Sequence, residues 1–133
     1  MLNTTNADTL LFQQIPVKED MLLLTTNRGL EIIDINSILR VEAISNYSKL
    51  FFADGRSLVV AKLLSWFEKK LAGNHFIRLH RGDLVNIRYI RAFDNIGDGE
   101  VILLNNDRLA VSRRRRPELK KAIYLYYGEP DVR

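Results

Sequence analysis

The sequence contains no cysteine, which excludes a disulfide framework and any thiolate metal site. Its two histidines, His75 and His80, lack a convincing set of carboxylate partners, so no metal site is expected. No apolar run approaches the roughly 18 residues that a membrane span needs. The first residues carry Asn, Thr and Asp where a signal peptide would be basic. These absences predict a soluble, cytoplasmic protein without a metal, another cofactor or a membrane partner.

The sequence also lacks the motifs of common enzyme classes. It has no GxSxG, P-loop, HExxH or Rossmann glycine pattern. Acidic residues occur singly in segments of turn composition, as at Asp54, Asp98 and Asp107, where hydrogen bonding to the local backbone explains them. The prediction is a protein that is not an enzyme and takes no small-molecule substrate.

What the sequence does have is a basic bias concentrated in one segment. The 133 residues carry a formal net charge of +4. Residues 108–121 hold seven basic residues against one acid, Glu118, and therefore a net charge of +6. Such concentration favours a polyanion as partner, although a charge run can also be a solvated helix face.

Short aliphatic and β-branched segments, separated by Asn, Asp and Gly, predict a mostly β fold of short antiparallel strands. One strand pair is predicted at residues 39–44 and 49–53, joined by a loop over residues 45–48. The length indicates a single domain. The predicted organisation is a polar N-terminal arm over residues 1–20, the domain over 21–127 and a tail over 128–133.

Two helices are predicted. The first covers residues 62–71, whose apolar side chains follow a helical period and are expected to be core: Leu63, Trp66, Phe67 and Leu71. Pro117 is tolerated only near a helix start, which predicts a last helix with Ser112 as a candidate N-cap. Three of its residues are expected to pack on the sheet: Leu119, Ile123 and Tyr126.

Residues 76–86 are the most informative stretch. Their apolar members are expected in the core: Phe76, Ile77, Leu79, Leu84 and Val85. Between them lie donors suited to phosphates and base edges: Arg78, His80, Arg81 and Asn86. Of these, Asn86 is expected to tie the loop rather than to read a ligand. A second basic stretch, residues 108–116, is expected to complete the same surface.

The donors favour duplex DNA over single-stranded nucleic acid. Readers of single strands usually expose aromatic side chains among their basic residues. Here most Phe and Tyr positions fit the apolar pattern, and Tyr47 is the one aromatic in a plausible recognition loop.

Three segments, in this order and spacing, resemble the LytTR DNA-binding domain family. The first reads Ile38-x-x-Val41-Glu42-Ala43-x-x-Asn46-Tyr47, the second Phe76-Ile77-Arg78-x-His80-Arg81-x-x-Leu84-Val85-Asn86, and the third Val111-Ser112-Arg113-Arg114. The resemblance covers roughly residues 15–126. It implies about ten short antiparallel strands in small sheets, with one mid-chain helix and a C-terminal helix.

The resemblance also implies where DNA would be contacted. The loop after Glu-Ala contributes Asn46, Tyr47, Ser48 and Lys49. The central segment contributes Arg81, and the last contributes Arg113 with Arg115 and Arg116 as neighbouring phosphate donors. His80 is a further candidate, whose alternative role is a ring held beneath the loop by backbone hydrogen bonds. Glu42 is expected to orient an arginine.

Two features depart from the family pattern. Gly82 stands where the family commonly has Ser after His-Arg, so a hydroxyl contact to phosphate is in doubt. The domain usually follows a phosphorylatable receiver domain, whereas about twenty residues precede it here. The chain is either a stand-alone regulator or one part of a longer protein.

The resemblance therefore implies a bacterial transcription regulator of the response-regulator, two-component type. It would bind double-stranded DNA sequence-specifically, through loops in the major groove, with two copies on adjacent half-sites and a possible homodimer. The alternative is a protein-interaction module that modulates another regulator.

Overall fold

The computed structural model describes residues 20–131. In this part of the chain the strands are β1 (Met21–Thr26), β2 (Gly29–Asp34), β3 (Ile38–Ile44), β4 (Tyr47–Phe52), β5 (Ser57–Val60), β6 (Phe76–His80), β7 (Asp83–Asn86), β8 (Ile90–Asp94), β9 (Glu100–Leu103) and β10 (Arg108–Ala110). The helices are α1 (Leu64–Lys70) and α2 (Arg116–Tyr127). The predicted fold of ten short antiparallel strands with a mid-chain and a C-terminal helix is confirmed.

The described chain divides into two units between Asn36 and Ser37. The first is the β1–β2 hairpin, in which Leu23 pairs with Ile32 and Thr26 with Gly29. Its residues alternate between buried and exposed, as the period of a strand requires. The predicted arm lies outside the described residues except for Asp20, and the domain boundaries stay a prediction.

The second unit contains two antiparallel sheets. One has the strand order β5-β4-β3-β7-β6 and the other β10-β9-β8. Aliphatic side chains from both sheets and from α2 form its core: Leu39, Leu79, Val85, Val101, Leu103, Leu109, Val111 and Leu119. Strand β7 is buried along its whole length, which fits its position between β3 and β6. For the site, the consequence is that β6 and β7 are held by the core through Leu79 and Val85.

Asn86 at the end of β7 is fully buried. Its Nδ2 donates to the carbonyl of Ile38 at 2.9 Å, and its Oδ1 accepts from the backbone N–H of Arg88 at 3.0 Å. A buried amide needs such partners, because an unmade hydrogen bond costs about 1–3 kcal/mol. The expectation that Asn86 ties the chain rather than reads a ligand agrees with this geometry.

The apolar stripe predicted on α1 is confirmed at Phe67 and Leu71 and is wrong at Leu63. The helix begins only at Leu64, because Leu63 is still extended, with φ −75° and ψ 156°. Leu64, Phe67 and Leu71 are therefore buried, while Leu63 is 54% exposed. Trp66 is only half-buried and has the ammonium groups of Lys62 and Lys70 over its ring, at 5.2 and 5.5 Å.

The start of the last helix also differs from the prediction. A 3-10 turn, Arg113–Arg115, precedes α2, and the Ser112 side chain makes no capping hydrogen bond. The N-cap prediction is therefore wrong, because the added turn separates Ser112 from the α-helix. Leu119 is buried and Ile123 packs against the core, as predicted. Tyr126 remains 37% exposed and contacts the His75 ring instead.

The C-terminal end of α2 is attached through Tyr127. Its hydroxyl donates to the carbonyl of Ile87 at 2.8 Å. Burial raises the pKa of Tyr127 and the nearby Tyr126 adds to the rise, while Arg88 acts in the opposite direction.

Within residues 20–131, no helix is long and apolar enough to cross a membrane.

Candidate nucleic-acid interface

The connection between β6 and β7, residues 81–82, is here named the β6–β7 turn. The register shifts between Arg78 and His80, so Leu79 is an extra residue in β6. Such a bulge releases one residue from the ladder and re-aims its neighbours. The released carbonyl of Leu79 accepts a hydrogen bond from the backbone N–H of Ser112 at 2.9 Å. Arg81 follows the bulge, and its side chain is exposed.

His80 is bound inside this turn by both ring nitrogens. Nδ1 accepts from the backbone N–H of Gly82 at 2.9 Å, and Nε2 lies 2.8 Å from Oδ2 of Asp83. A nitrogen that accepts carries no proton, so the proton of the neutral ring is on Nε2 and points at Asp83. Of the two roles expected for His80, the geometry supports the ring held by the backbone, since neither nitrogen is left for DNA.

Asp83 connects the turn to a buried ion-pair network centred on Arg40. Nη1 of Arg40 lies 3.0 Å from Oδ1 of Asp83, and its Nε lies 3.4 Å from Oδ2 of Asp107. Its guanidinium also stacks 3.9 Å from the centre of the Phe51 ring. Each oxygen of Asp83 therefore has a partner, and no ion pair joins Asp83 to Arg81 among the described residues. Oε2 of Glu42 lies 3.7 Å from Nη1 of Arg40, which agrees with the expectation that Glu42 orients an arginine.

Arg78 holds the same turn from the side. Its Nε donates to the carbonyl of His80 at 2.9 Å, and its Nη2 donates to the carbonyl of Arg81 at 2.8 Å. Its Nη1 donates to Oε1 of Glu68 on α1 at 2.7 Å. The side chain of Arg78 is only 15% exposed. The donor predicted at this position therefore faces the protein.

The loop predicted over residues 45–48 is a two-residue turn, here named the β3–β4 turn (residues 45–46). Ser45 adopts φ 55°, which lets β4 begin at Tyr47. Asn46 and Tyr47 are exposed, the latter by 50%. Ser48 is fully buried and its Oγ donates to the carbonyl of Lys62 at 2.7 Å. The assignment of Ser48 to DNA is therefore wrong, since the alternation of the strand turns it inward.

Lys49 returns to the accessible side of β4. It is partly buried and pairs in register with Glu42 on β3. Its ammonium group lies 5.0 Å from the centre of the Phe51 ring. Near its end, β3 is joined to the β6–β7 turn, because the backbone N–H of Ala43 donates to the carbonyl of Gly82 at 2.9 Å. Asn46, Tyr47 and Lys49 are thereby positioned relative to Arg81.

The third segment, residues 113–116, is here named the arginine run. Arg113 and Arg114 are exposed, while Arg115 and Arg116 are partly buried. A Cβ placed on Gly99 would lie 2.9 Å from Cζ of Arg116, which shows how closely this guanidinium covers the glycine. A cleft of about 370 Å³ lies at this end of α2. Its lining residues are Phe93, Asn95, Arg113, Arg116, Pro117 and Lys120.

The three segments are joined at and beside the β6–β7 turn. The carbonyl of Gly82 accepts from Ala43 on β3, and the carbonyl of Leu79 on β6 accepts from Ser112, the residue before the arginine run. Their exposed ends carry cations, an amide and one phenol, a donor set suited to phosphates and base edges. No group of three or more His, Asp and Glu side chains is placed to hold a metal within residues 20–131. These exposed donors can bind an anionic polymer through hydrogen bonds and ion pairs alone.

A family model described as LytTr DNA-binding domain matches residues 28–124. The chain belongs to the LytTR DNA-binding domain family. The match covers most of the 133 residues and includes all three segments that are joined at and beside the turn.

Two similar proteins place this LytTR domain among its relatives. The "Sensory transduction protein LytT" of Bacillus subtilis (strain 168) is 28% identical over 106 residues, which cover 78% of this chain and 44% of that protein. The chain thus spans less than half the length of this curated relative. A solved structure is described as the LytTr DNA-binding domain of a methyl-accepting/DNA response regulator from Bacillus cereus. It is 22% identical with a TM-score of 0.67, covers 78% of this chain and 96% of its own, and shows the shared fold.

The absence of a side chain at Gly82 leaves room for the His80 ring. A Cβ at this position would lie 3.1 Å from Cε1 of His80, tighter than ordinary contact. The glycine therefore lets the His80 ring lie close over the turn, where Nδ1 accepts from the backbone N–H of Gly82.

Sequence reasoning gave no specific role to several residues that shape or extend this LytTR surface: Arg40, Arg78, Asp83, Arg114 and Lys120. Arg78 stood in the donor series without a specific role, and its inward direction depends on the bulge. Arg40 and Asp83 are 43 residues apart, and nothing local to either one indicates the pair. Arg114 could have been included from composition alone, as it lies inside the basic run.

Proposed function

We propose that this LytTR domain binds double-stranded DNA sequence-specifically and regulates transcription. It reads the major groove through the β3–β4 turn, the β6–β7 turn and the arginine run. The observation that carries the proposal is the position of Arg81. Its side chain is exposed at the tip of a turn whose carbonyls and neighbouring histidine are all bound from within. A cation held on a rigid backbone is suited to reading, because little freedom is lost when it binds.

The roles divide by chemistry. Arg81 and Arg113 make paired hydrogen bonds to the N7 and O6 of guanine, the commonest specific contact in the major groove. Asn46 is suited to adenine in the same way, and Tyr47 contacts the sugar–phosphate chain beside it. Phosphates are held by the remaining cations, which set the position of the domain on the duplex. They are Lys49, Arg114, Arg115, Arg116 and Lys120.

Two copies bind adjacent half-sites. A module of this size covers about one turn of duplex, so half-sites spaced by about 10 base pairs place both copies on one face of the DNA. Each copy alone makes few base contacts, and useful affinity therefore requires the pair.

Selection of bound sequences from a random duplex pool tests the proposal. The expected result is one enriched motif, repeated at a spacing of about 10 base pairs or a multiple. On the selected duplex, roughly six phosphate contacts would make log K fall with log[salt] at a slope of about −5. A pool without enrichment, together with a slope shallower than about −2, would count against DNA binding and favour the protein-interaction module.

A further inference from the structure

Arg78 occupies an unusual position for a basic residue beside a DNA-reading turn. Each of its nitrogens has a partner in the protein: Nε binds the carbonyl of His80, Nη2 that of Arg81 and Nη1 the carboxylate of Glu68. The two carbonyls belong to His80, the last residue of β6, and to Arg81 in the β6–β7 turn. We infer that Arg78 is a positioning residue for Arg81, and that Glu68 makes helix α1 part of the reading apparatus.

The inference rests on the proposed function and gives a physical cause for the discrimination between DNA sequences. Arg81 is the residue that reads, yet its own side chain has no internal support, because it is exposed. Its aim depends on the backbone of residues 80 and 81, and Arg78 fixes the carbonyl of each. Without Arg78 these carbonyls turn to water and the tip of the turn samples several directions. Discrimination between base pairs then falls, while long-range attraction to DNA remains.

Glu68 completes the arrangement from α1. Phe67, the residue beside it, is fully buried and anchors the helix. The pair between Nη1 of Arg78 and Oε1 of Glu68 spans 2.7 Å, with side chains that are 15% and 44% exposed. The carboxylate fixes the plane of the guanidinium, so that Nε and Nη2 point together at the turn. A charge-assisted bond of this kind gives direction as well as energy.

Only arginine can perform this task. Its planar guanidinium presents Nε and both Nη groups in one rigid fork, whereas lysine offers a single ammonium group on a flexible stem. One ammonium group cannot bind two successive carbonyls and a carboxylate on opposite sides with the same geometry. Keeping the charge by Arg78→Lys therefore does not restore the positioning. A purely electrostatic role, in contrast, would be preserved by lysine.

The test compares affinities for the selected duplex and for random duplex, using Arg78→Ala, Arg78→Lys and Glu68→Ala. In Arg78→Ala and Arg78→Lys, the specific-to-random ratio should fall about tenfold, the equivalent of one or two lost hydrogen bonds to a charged group. Glu68→Ala should lower the ratio by about threefold, because the two carbonyl bonds remain. The salt slope should stay unchanged in all three, since none of these side chains holds a phosphate.

Arg91→Ala is the matched control. It also removes one positive charge, from an exposed position on β8 in the other sheet. Its specific-to-random ratio should equal that of the wild type. Melting followed by circular dichroism identifies any variant that is unfolded at the assay temperature. If Arg78→Ala is unfolded, Arg78→Lys and Glu68→Ala decide the question.

Each contrary outcome has a distinct meaning. A wild-type protein that does not discriminate between the duplexes refutes the proposed function itself. A discriminating wild type with unchanged ratios in folded Arg78 and Glu68 variants refutes the positioning role. A salt slope that becomes shallower by about one in Arg78→Ala, with an unchanged ratio, shows Arg78 to be a phosphate ligand and also overturns the inference.

Discussion

The β6–β7 turn and the arginine run both present arginines to the same surface, but they are built in opposite ways. Arg81 is one exposed cation on a backbone fixed by Arg78, His80 and Asp83. The arginine run has four consecutive cations at a 3-10 turn, and the segment has no side-chain cap. The number of charges in a segment therefore says little about how firmly each one is held. At Arg81 the support comes from the polar groups behind it.

The largest expected effect is on the support of the β6–β7 turn. Asp83→Ala leaves the buried Arg40 without its best partner and frees one nitrogen of His80. The free energy of unfolding should fall by about 3 kcal/mol, because breaking a buried ion pair is costly even though Asp107 and Glu42 stay within 4 Å of Arg40. Urea denaturation at pH 7 measures it. Glu100→Ala is the control, since its pair with Arg108 spans 3.3 Å between half-exposed side chains and should contribute at most about 1 kcal/mol.

The second effect separates reading from attraction. Arg81→Ala should cost about 1–3 kcal/mol on the selected duplex and much less on random duplex, because a base contact is lost. Arg114→Ala should lower the affinity for both duplexes about equally and make the salt slope shallower by about one. Competition titrations at several salt concentrations measure both quantities. If Arg114→Ala collapses discrimination while Arg81→Ala preserves it, the contrast between the two regions is inverted.

The smallest effect concerns how the arginine run is held. Gly97 and Gly99 have φ values of 66° and 83°, so alanine is strained at both positions. Stability should fall by a similar amount of about 1 kcal/mol in Gly97→Ala and Gly99→Ala. Only the Cβ at Gly99 would displace the Arg116 guanidinium, whereas Gly97 has nothing within 4 Å. Affinity for both duplexes should therefore drop, by about threefold, in Gly99→Ala alone. If Gly97→Ala and Gly99→Ala bind the duplexes with equal affinity, the position of Arg116 is irrelevant to binding.

Most of the fold could be predicted from the sequence because its signals are local. Alternation and turn residues gave the strands, and the donors between the apolar residues of β6 and β7 indicated the exposed Arg81. The errors came from shifts of one or two residues. Tyr47 already belongs to β4, which turns Ser48 inward, and α1 begins one residue after Leu63.

The internal organisation of the site could not be predicted, because it depends on contacts between distant segments. The hydrogen bond from Ser112 to Leu79 and that from Ala43 to Gly82 join segments that no local pattern relates. Whether His80 points at DNA or at the backbone also depends on Gly82, two residues away, and on the bulge at Leu79. The residue types were visible in the sequence, but their directions were set by the tertiary structure.

The extra residue in β6 restricts which insertions and deletions this segment can tolerate. Removing Leu79 would join Arg78 directly to His80 and leave a regular ladder without the bulge. The buried Leu79 side chain and the carbonyl that accepts from Ser112 would be lost together. A register slip caused by an added residue would exchange the faces of the strand, and Arg78 would leave the side from which it reaches the carbonyls of residues 80 and 81. The spacing from Arg78 to Asp83 is therefore fixed in length, and a transplant of this recognition element into another hairpin must carry residues 78–83 as one unit.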